Sequence, residues 1–587
     1  MATTNGSTRK RIVICCDGTW MDSDGDYQTP SNVTRIARAI PPVGFDKTVD
    51  PPQAIHQVVF YQNGVGTGDN SLYNRYVGGA TGEGLAEHIR EAYSFVALNY
   101  NEGDEIFIIG FSRGAFTARS ISSLINAVGL LTSKGLEYFV QVFEDWEFQQ
   151  KKDFVTKWPN VPFSGHKPPV TDPHYQRQLI DKNLTRPNIK IKCVAVWDTV
   201  GGLGIPMIGL LPQPPSRDFA FVDTRVESNI EYAFQALALD EHRRAYSPTI
   251  WDWPSVEPNE LKVLKQTWFP GVHSDIGGSY DDTALANLTL AWMVSQLDPI
   301  LTVDHAYVFA LIEPQQHPGI GIPRGHLTFT HEGLPKRVEN TAPHPGRPWG
   351  MGKIHNSMTA FFRLGGSRIR TPGEYREAEL PSQQHGTLIW MFRKIGGRLF
   401  GGLLNDENTK RPRLHRTNET IHASVRIRRG KHGFGYDDKG TYDPPALKGW
   451  MLHGTETNPD TPIALNAPGQ VGKMTGVVYK KAVFPEVLES GGKDKKRARV
   501  KVLDDHDKKD TLELREEPLG AFERQILQLW PDIQRDFDNI GAEGASVDRA
   551  QTYPVHQRAG TPGTAGGLNG LSVHTKLNQP GRRSETT

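Results

Sequence analysis

Asp104-Glu105-Ile106-Phe107-Ile108-Ile109-Gly110-Phe111-Ser112-Arg113-Gly114-Ala115-Phe116-Thr117-Ala118-Arg119 is the stretch that decides the fold. Four large apolar residues in a row, Ile106 to Ile109, suit a strand buried on both faces, as in a parallel sheet. They run into Gly110-Phe111-Ser112-Arg113-Gly114, a G-x-S-x-G pattern, and then into AFTARSISSLINAVGLL, whose small residues let a helix start close to a sheet. The five-residue pattern alone arises by chance; the strand before it and the helix after it give it meaning. In that setting Ser112 sits on a sharp strand-to-helix turn. Gly110 and Gly114 are glycines because a side chain would strike the neighbouring strand and helix. The helix N-terminus brings N–H groups and a positive dipole end to a developing oxyanion. The competing reading is a plain strand–helix turn with a capping serine.

Outward from this turn the pattern repeats. RIVICCDGTW from Arg11 and HQVVFYQNGVGTG from His56 are apolar bursts that stop at glycine-bearing turns, and IKIKCVAVWDTVGG and LKVLKQTWFPGVHSDIGGSY do the same further on. GEGLAEHIREAYSFVALNY places Leu85, Ile89, Tyr93 and Val96 at helical spacing. Strands alternating with helices predict an α/β fold, an α/β-hydrolase-like, mostly parallel sheet with helices on both faces. The reading divides the chain into a polar tail (1–10), a catalytic core (11–312) with an insertion at about 135–187, a C-terminal elaboration (313–540) and a disordered tail (541–587) rich in Gly, Thr, Ser and Pro. The insertion reads equally well as part of a cap over the site or as a peripheral helix pair. Within the C-terminal elaboration, KMTGVVYKKAVFPEVL reads as a strand and part of a helix, EEPLGAFERQILQLWPD as a short amphipathic helix, and the basic run from Lys493 as a solvated loop, with a nuclear signal or an anionic-surface contact as the alternatives.

A serine hydroxyl needs a base, and the base an orienting acid. Asp198, just past the apolar run ending in Trp197, and His273, at the end of another, supply these in the order Ser, Asp, His. Groups at the carboxyl ends of strands line the functional crevice of open α/β sheets. A second assignment takes Asp275 as the acid with His355 or His422 as the base. The oxyanion donors are the backbone N–H of Arg113 and the Gly18–Thr19 turn, Thr19 above all. A haloacid-dehalogenase reading of Cys15-Cys16-Asp17-Gly18-Thr19 fails, because Cys15 occupies the position of the nucleophilic Asp. Asp17, Asp198, His273 and Asp275 could gather a hard cation, but no zinc spacing is present, and the chemistry needs neither metal nor organic cofactor. Arg113 and Arg119, flanking the turn, either meet a lipid phosphate or make internal ion pairs.

Composition narrows the classes. With 67 Lys and Arg against 66 Asp and Glu, net charge +1, the chain carries no electrostatic case for a nucleic-acid partner. Three cysteines, Cys15, Cys16 and Cys193, make no disulfide framework and read as buried thiols. MATTNGSTRK lacks the apolar core of a signal peptide, and no run of about 18 apolar residues occurs. The expected location is cytoplasmic, with nuclear or peripheral-membrane sites open.

Taken together, CDGTW, GFSRGAFTAR, VWDTVGGLG and GVHSDIGGSY resemble the α/β-hydrolase family that includes the catalytic domains of bacterial type VI secretion phospholipase effectors and many uncharacterised fungal and bacterial proteins. ALDEHRR from Ala238, RTPGEY from Arg370 and IHASV from Ile421 add to the likeness, which is best over about residues 10 to 300 with islands to about 530. The resemblance implies a Ser-Asp-His triad, falling on Ser112, Asp198 and His273, and esterase chemistry on glycerophospholipids. A soluble carboxylesterase or thioesterase, and a non-catalytic scaffold on the same fold, are the alternatives.

Overall fold

The first apolar burst forms strand β1 (Lys10–Cys16), and its side chains alternate between two cores: Val13 and Cys15 face one, Ile12, Ile14 and Cys16 the other. That alternation is the period of a strand covered on both sides. The computed structural model describes residues 9–19, 21, 29–64, 82–149, 154–165, 167–200, 225–254, 257–312, 326–329, 335–338, 347–358, 366–376, 413–455, 476–483 and 510–538. All of these lie in one unit of the chain. The basic run from Lys493 and the tail from 541 fall outside the described residues.

Helix α1 (Asn32–Ala39) follows β1, capped by Ser31, whose side chain accepts from Thr34 N–H. Then come β2 (Val43–Asp46), β3 (Gln53–Gln62), α2 (Gly82–Asn99), β4 (Glu105–Phe111) and α3 (Arg113–Val128). The insertion contributes α4 (Phe139–Glu147) and α5 (Pro173–Asp181). Strands β5 (Ile191–Trp197), β6 (Ile230–Ala238) and β7 (Val263–Phe269) lead to the short helix α6 (His273–Gly277), then α7 (Ala284–Leu297) and α8 (His305–Ile312). The C-terminal part supplies β8 (Glu419–His422), α9 (Ala423–Gly430), β9 (Met451–Thr455), β10 (Gly476–Val483), β11 (Asp510–Glu517), α10 (Ala521–Leu527) and α11 (Pro531–Asp538).

The principal sheet has 11 strands in the order β9-β10-β11-β8-β7-β6-β5-β4-β1-β3-β2. From β11 to β3 every neighbouring pair is parallel; β2 pairs antiparallel with β3, as β9 and β10 do at the far edge. Helices α2, α3 and α4 cover one face and α1, α7 and α8 the other. Strands β8 to β11 continue this sheet instead of stacking on it, whereas His326–Phe329 and Pro335–Val338 form a separate antiparallel pair. Polar contacts mark the join: Thr267 and Thr420 hydroxyls meet at 2.8 Å, Trp268 Nε1 donates to Glu419 at 2.9 Å, and Lys265 pairs with Glu517 at 2.8 Å.

The described helices of the insertion pack as a peripheral pair. Phe139 stacks on Tyr93 of α2 at 4.9 Å and Arg90 lies over Phe143 at 5.2 Å. Gln176 reaches the carbonyls of Asn126 and Ala127, at the end of α3 remote from Ser112. No described helix is long and apolar enough to cross a membrane.

Two features of this architecture position the site. The chain leaves β1 towards β3 on one side and returns to β4 on the other, so the strand order reverses between β1 and β4. Such a switch point opens a crevice at the carboxyl ends of the strands. The turns after β1, β4, β5 and β7 all leave from that end.

Candidate active site

Ser112 follows directly on β4 and opens α3. Its backbone is in the left-handed region, φ 59° and ψ −122°, a sparsely populated conformation for a side-chain-bearing residue. The turn is fixed by close packing. A Cβ on Gly110 would lie 2.5 Å from the Gly114 carbonyl, and one on Gly114 would lie 2.2 Å from the Cys16 carbonyl. Ser112 N–H donates to Trp197 O at 3.1 Å, which ties the turn to the end of β5. The hydroxyl makes no capping bond to the helix, so the capping-serine reading has no support. Instead Ser112 Oγ lies 2.8 Å from His273 Nε2.

His273 is the first residue of α6. The chain reaches it through Gly271, whose φ of 121° suits glycine. Its ring is held by Phe111 at 4.7 Å and by Tyr246, edge-on, at 4.9 Å. Nδ1 meets Asp198 Oδ2 at 2.6 Å. Asp198, 0% exposed and also at positive φ, accepts a second bond from Ala238 N–H at 3.0 Å. Sequence spacing thus placed three residues that the fold brings into one hydrogen-bonded line, Ser112 to His273 to Asp198.

Two further layers were not foreseen. Arg370 forks onto Asp198, Nη1 to Oδ1 at 2.5 Å and Nη2 to Oδ2 at 2.8 Å. Burial alone would raise the Asp198 carboxyl; the Arg370 charge and the His273 bond overcome it and hold the group well below the usual carboxylate range. Glu241, also buried, accepts from His273 N–H at 3.2 Å and binds Arg243 through both oxygens, and Arg243 lies 3.6 Å over the Tyr246 ring. For His273 burial is the larger influence and pulls the imidazole below its ordinary value, against the opposing pull of Asp198. Both Arg370 and Glu241 stand in family-like blocks, but no local spacing links either to the serine turn.

The Gly18–Thr19 turn lies against Ser112: a Cβ on Gly18 would come 3.4 Å from Ser112 Cβ. Gly18 N–H is turned back onto Asp17 Oδ1 at 2.6 Å, which takes it away from the oxyanion position. Thr19 Oγ1 is buried and, among the described residues, has no hydrogen-bond partner. Asp17 anchors the turn, accepting from Tyr61 at 2.6 Å, Ser31 at 2.7 Å and Thr34 at 2.8 Å; burial still raises its carboxyl against these bonds.

The other sequence candidates go elsewhere. Asp275 pairs with His355, Nδ1 to Oδ1 at 2.6 Å, and its second oxygen caps Val272 N–H at 2.9 Å. His422 bridges Ser424 at 2.8 Å and Glu523 at 2.9 Å, with all three residues 0% exposed, so this serine–histidine–acid chain has no access for a substrate. Arg119 is buried against the Thr249 carbonyl and the Trp251 ring, out of reach of a lipid phosphate, while burial pushes the Arg113 guanidinium down to about 10. Among the described residues no group of three or more His, Cys, Asp or Glu is placed to hold a metal ion. A cleft of about 240 Å³ lined by Leu239, His242, Ile369 and Tyr436 opens beside Arg370.

Comparison with known proteins agrees with the motif resemblance. Residues 10–296 match the family described as T6SS, phospholipase effector Tle1-like, catalytic domain. An uncharacterized protein of Saccharomyces cerevisiae, YEL023C, is 27% identical over 259 residues, 41% of this chain and 32% of that protein's length. A crystal structure of an uncharacterized protein from Pseudomonas aeruginosa aligns over 50% of this chain and 47% of the other at 16% identity, with a TM-score of 0.24.

Proposed function

We propose, taking the match of residues 10–296 to a phospholipase-effector catalytic domain as the premise, that this protein is a serine hydrolase that cleaves carboxylic esters of lipids, phospholipids foremost, through an acyl-enzyme on Ser112. The observation that carries the reading is the unbroken line of short contacts from Ser112 Oγ through both nitrogens of His273 to Asp198.

An ionised Asp198 accepts the Nδ1–H of His273, which leaves Nε2 with a free lone pair directed at the serine hydroxyl. As Ser112 Oγ attacks the ester carbonyl, Nε2 takes its proton. The tetrahedral oxyanion is met by the backbone N–H of Arg113, at the start of α3, and by Thr19. Its collapse expels the alcohol, which receives the proton from His273. Water, deprotonated by the same nitrogen, then releases the fatty acid. No metal or organic cofactor enters these steps. Contact with the membrane is at its surface.

The experiment is fatty-acid release from mixed phospholipid vesicles, set beside hydrolysis of a short-chain p-nitrophenyl ester and an acyl thioester. Release of fatty acid from the vesicles supports a lipid substrate. Cleavage of the soluble esters alone would overturn the lipid part of the reading and leave the ester chemistry.

A further inference from the structure

We propose that Arg370, which lies outside the matched segment 10–296, is a positioning residue for the Ser112–His273–Asp198 relay and keeps His273 available as a base at neutral and mildly acidic pH. The inference rests on the hydrolase reading.

The geometry is over-determined. Arg370 Nη1 bonds Asp198 Oδ1 and the Ala238 carbonyl at 2.7 Å; Nη2 bonds Asp198 Oδ2 and the Tyr246 carbonyl at 2.8 Å. Both carboxylate oxygens and both terminal nitrogens are thus committed, and the plane of the fork is set by two main-chain carbonyls. Arg370 is 3% exposed and Asp198 0%. An ion pair excluded from water in this way is screened little by solvent.

The consequence falls on His273. The charged groups facing it are Asp198 after β5 and Glu241 with Arg243 after β6, with the hydroxyl of Ser112 on the other side and the Tyr246 ring at its edge. Glu241 is already matched by Arg243. If Asp198 were unmatched, its buried negative charge would be relieved most readily by a proton on the imidazole, and an imidazolium cannot accept the serine proton. Arg370 supplies the matching charge without blocking Oδ2, which still takes the Nδ1 bond. A lysine carries the charge but not the planar two-pronged fit. A purely structural ion pair, joining the 366–376 segment to the end of β5, would give a loss that does not depend on pH.

The test is the rate at which a fluorophosphonate phosphonylates Ser112 with loss of fluoride, followed from pH 5 to 9 in the full chain, for wild type, Arg370→Gln and Arg370→Lys, with near-UV circular dichroism as the check on folding. The expected result for Arg370→Gln is an acid limb moved to higher pH, with labelling at pH 6 reduced about tenfold per unit of movement and partly recovered at pH 9. Arg370→Lys is expected to keep the wild-type limb with a lower plateau. A folded Arg370→Gln protein with an unmoved limb would overturn the proposal, and, if Arg370→Gln does not fold, so would an Arg370→Lys protein that labels at the wild-type rate at every pH. A wild type that never labels would remove the hydrolase reading and this inference with it.

Discussion

Asp275 stands two residues beyond His273, yet its partner is His355, whose Nδ1 lies 2.6 Å from Asp275 Oδ1. The pair's acid sits on the same short helix as the base, its histidine comes from the 347–358 segment, and Tyr280 stacks on the His355 ring at 3.9 Å. Its work is local: one carboxylate oxygen caps α6 through Val272 N–H, so the pair holds the turn that presents His273. The two acids therefore separate in a variant series. Asp198→Asn is expected to lower turnover by about 10⁴, because the imidazole loses its tautomer, while Asp275→Asn should act chiefly on stability. Steady-state kinetics beside thermal melts of both variants make the comparison. Equal losses of turnover would contradict it.

Thr19 offers a sharper distinction. Its hydroxyl is buried with no partner among the described residues, in a turn whose neighbouring N–H is already spent on Asp17. If that hydroxyl meets the oxyanion, Thr19→Val should lower turnover by about 10²–10³ with little change in KM, and Thr19→Ser should recover most of it. A Thr19→Val enzyme of wild-type turnover would remove the Thr19 hydroxyl from the oxyanion site and leave only the backbone N–H of the turn.

The buried chain Ser424–His422–Glu523 is a structural cross-link between β8 and α10, and its cost of disruption should be large. Removing one member of a buried pair leaves the other without its partner, at about 3–5 kcal/mol. Glu523→Ala is therefore expected to lower the denaturation midpoint strongly, while the protein that remains folded still labels at Ser112. Denaturant titration and labelling of the same sample check both halves.

Burial of His273 pulls its proton affinity down, so the acid limb of kcat/KM should fall below the ordinary imidazole value of about 6.5. Stability has a different pH signature at Asp240. Burial, only partly offset by Gly271 N–H and the Tyr442 hydroxyl, pushes its carboxyl up to about 7. A carboxyl raised in the folded state binds its proton more tightly there than when unfolded. Its contribution is thus complete below about pH 3.9 and is lost as pH rises through about 7. The melting temperature of wild type relative to Asp240→Asn should accordingly decline from pH 4 to pH 8, and a constant difference would contradict the assignment.

How much of this was readable beforehand depended on burial pattern. Strands β1, β4 and β5 carry apolar runs because both faces are covered, and such runs stand out in a sequence. β6 does not stand out, since Gln235 interrupts it; the fold buries that amide in a ladder with Thr199 at 2.6 Å and Gln266 at 2.9 Å. β11, DTLELREE, is mostly charged and carries no apolar run; pairing with β10 on one side and β8 on the other makes it a strand. The serine turn, Asp198 and His273 were legible because each follows directly on a recognisable strand or stands a short turn beyond one. Arg370 was not, because its partner lies 172 residues away and a lone arginine in an irregular segment announces no carboxylate.

The central claim is that Ser112 is a nucleophile activated by His273, and labelling with a fluorophosphonate probe tests it most directly. Wild type should form a stable adduct located at Ser112 by peptide mass, Ser112→Ala should form none, and His273→Ala should react far more slowly. Labelling of Ser112→Ala to the same extent, or a folded wild type that does not label at all, would contradict the account.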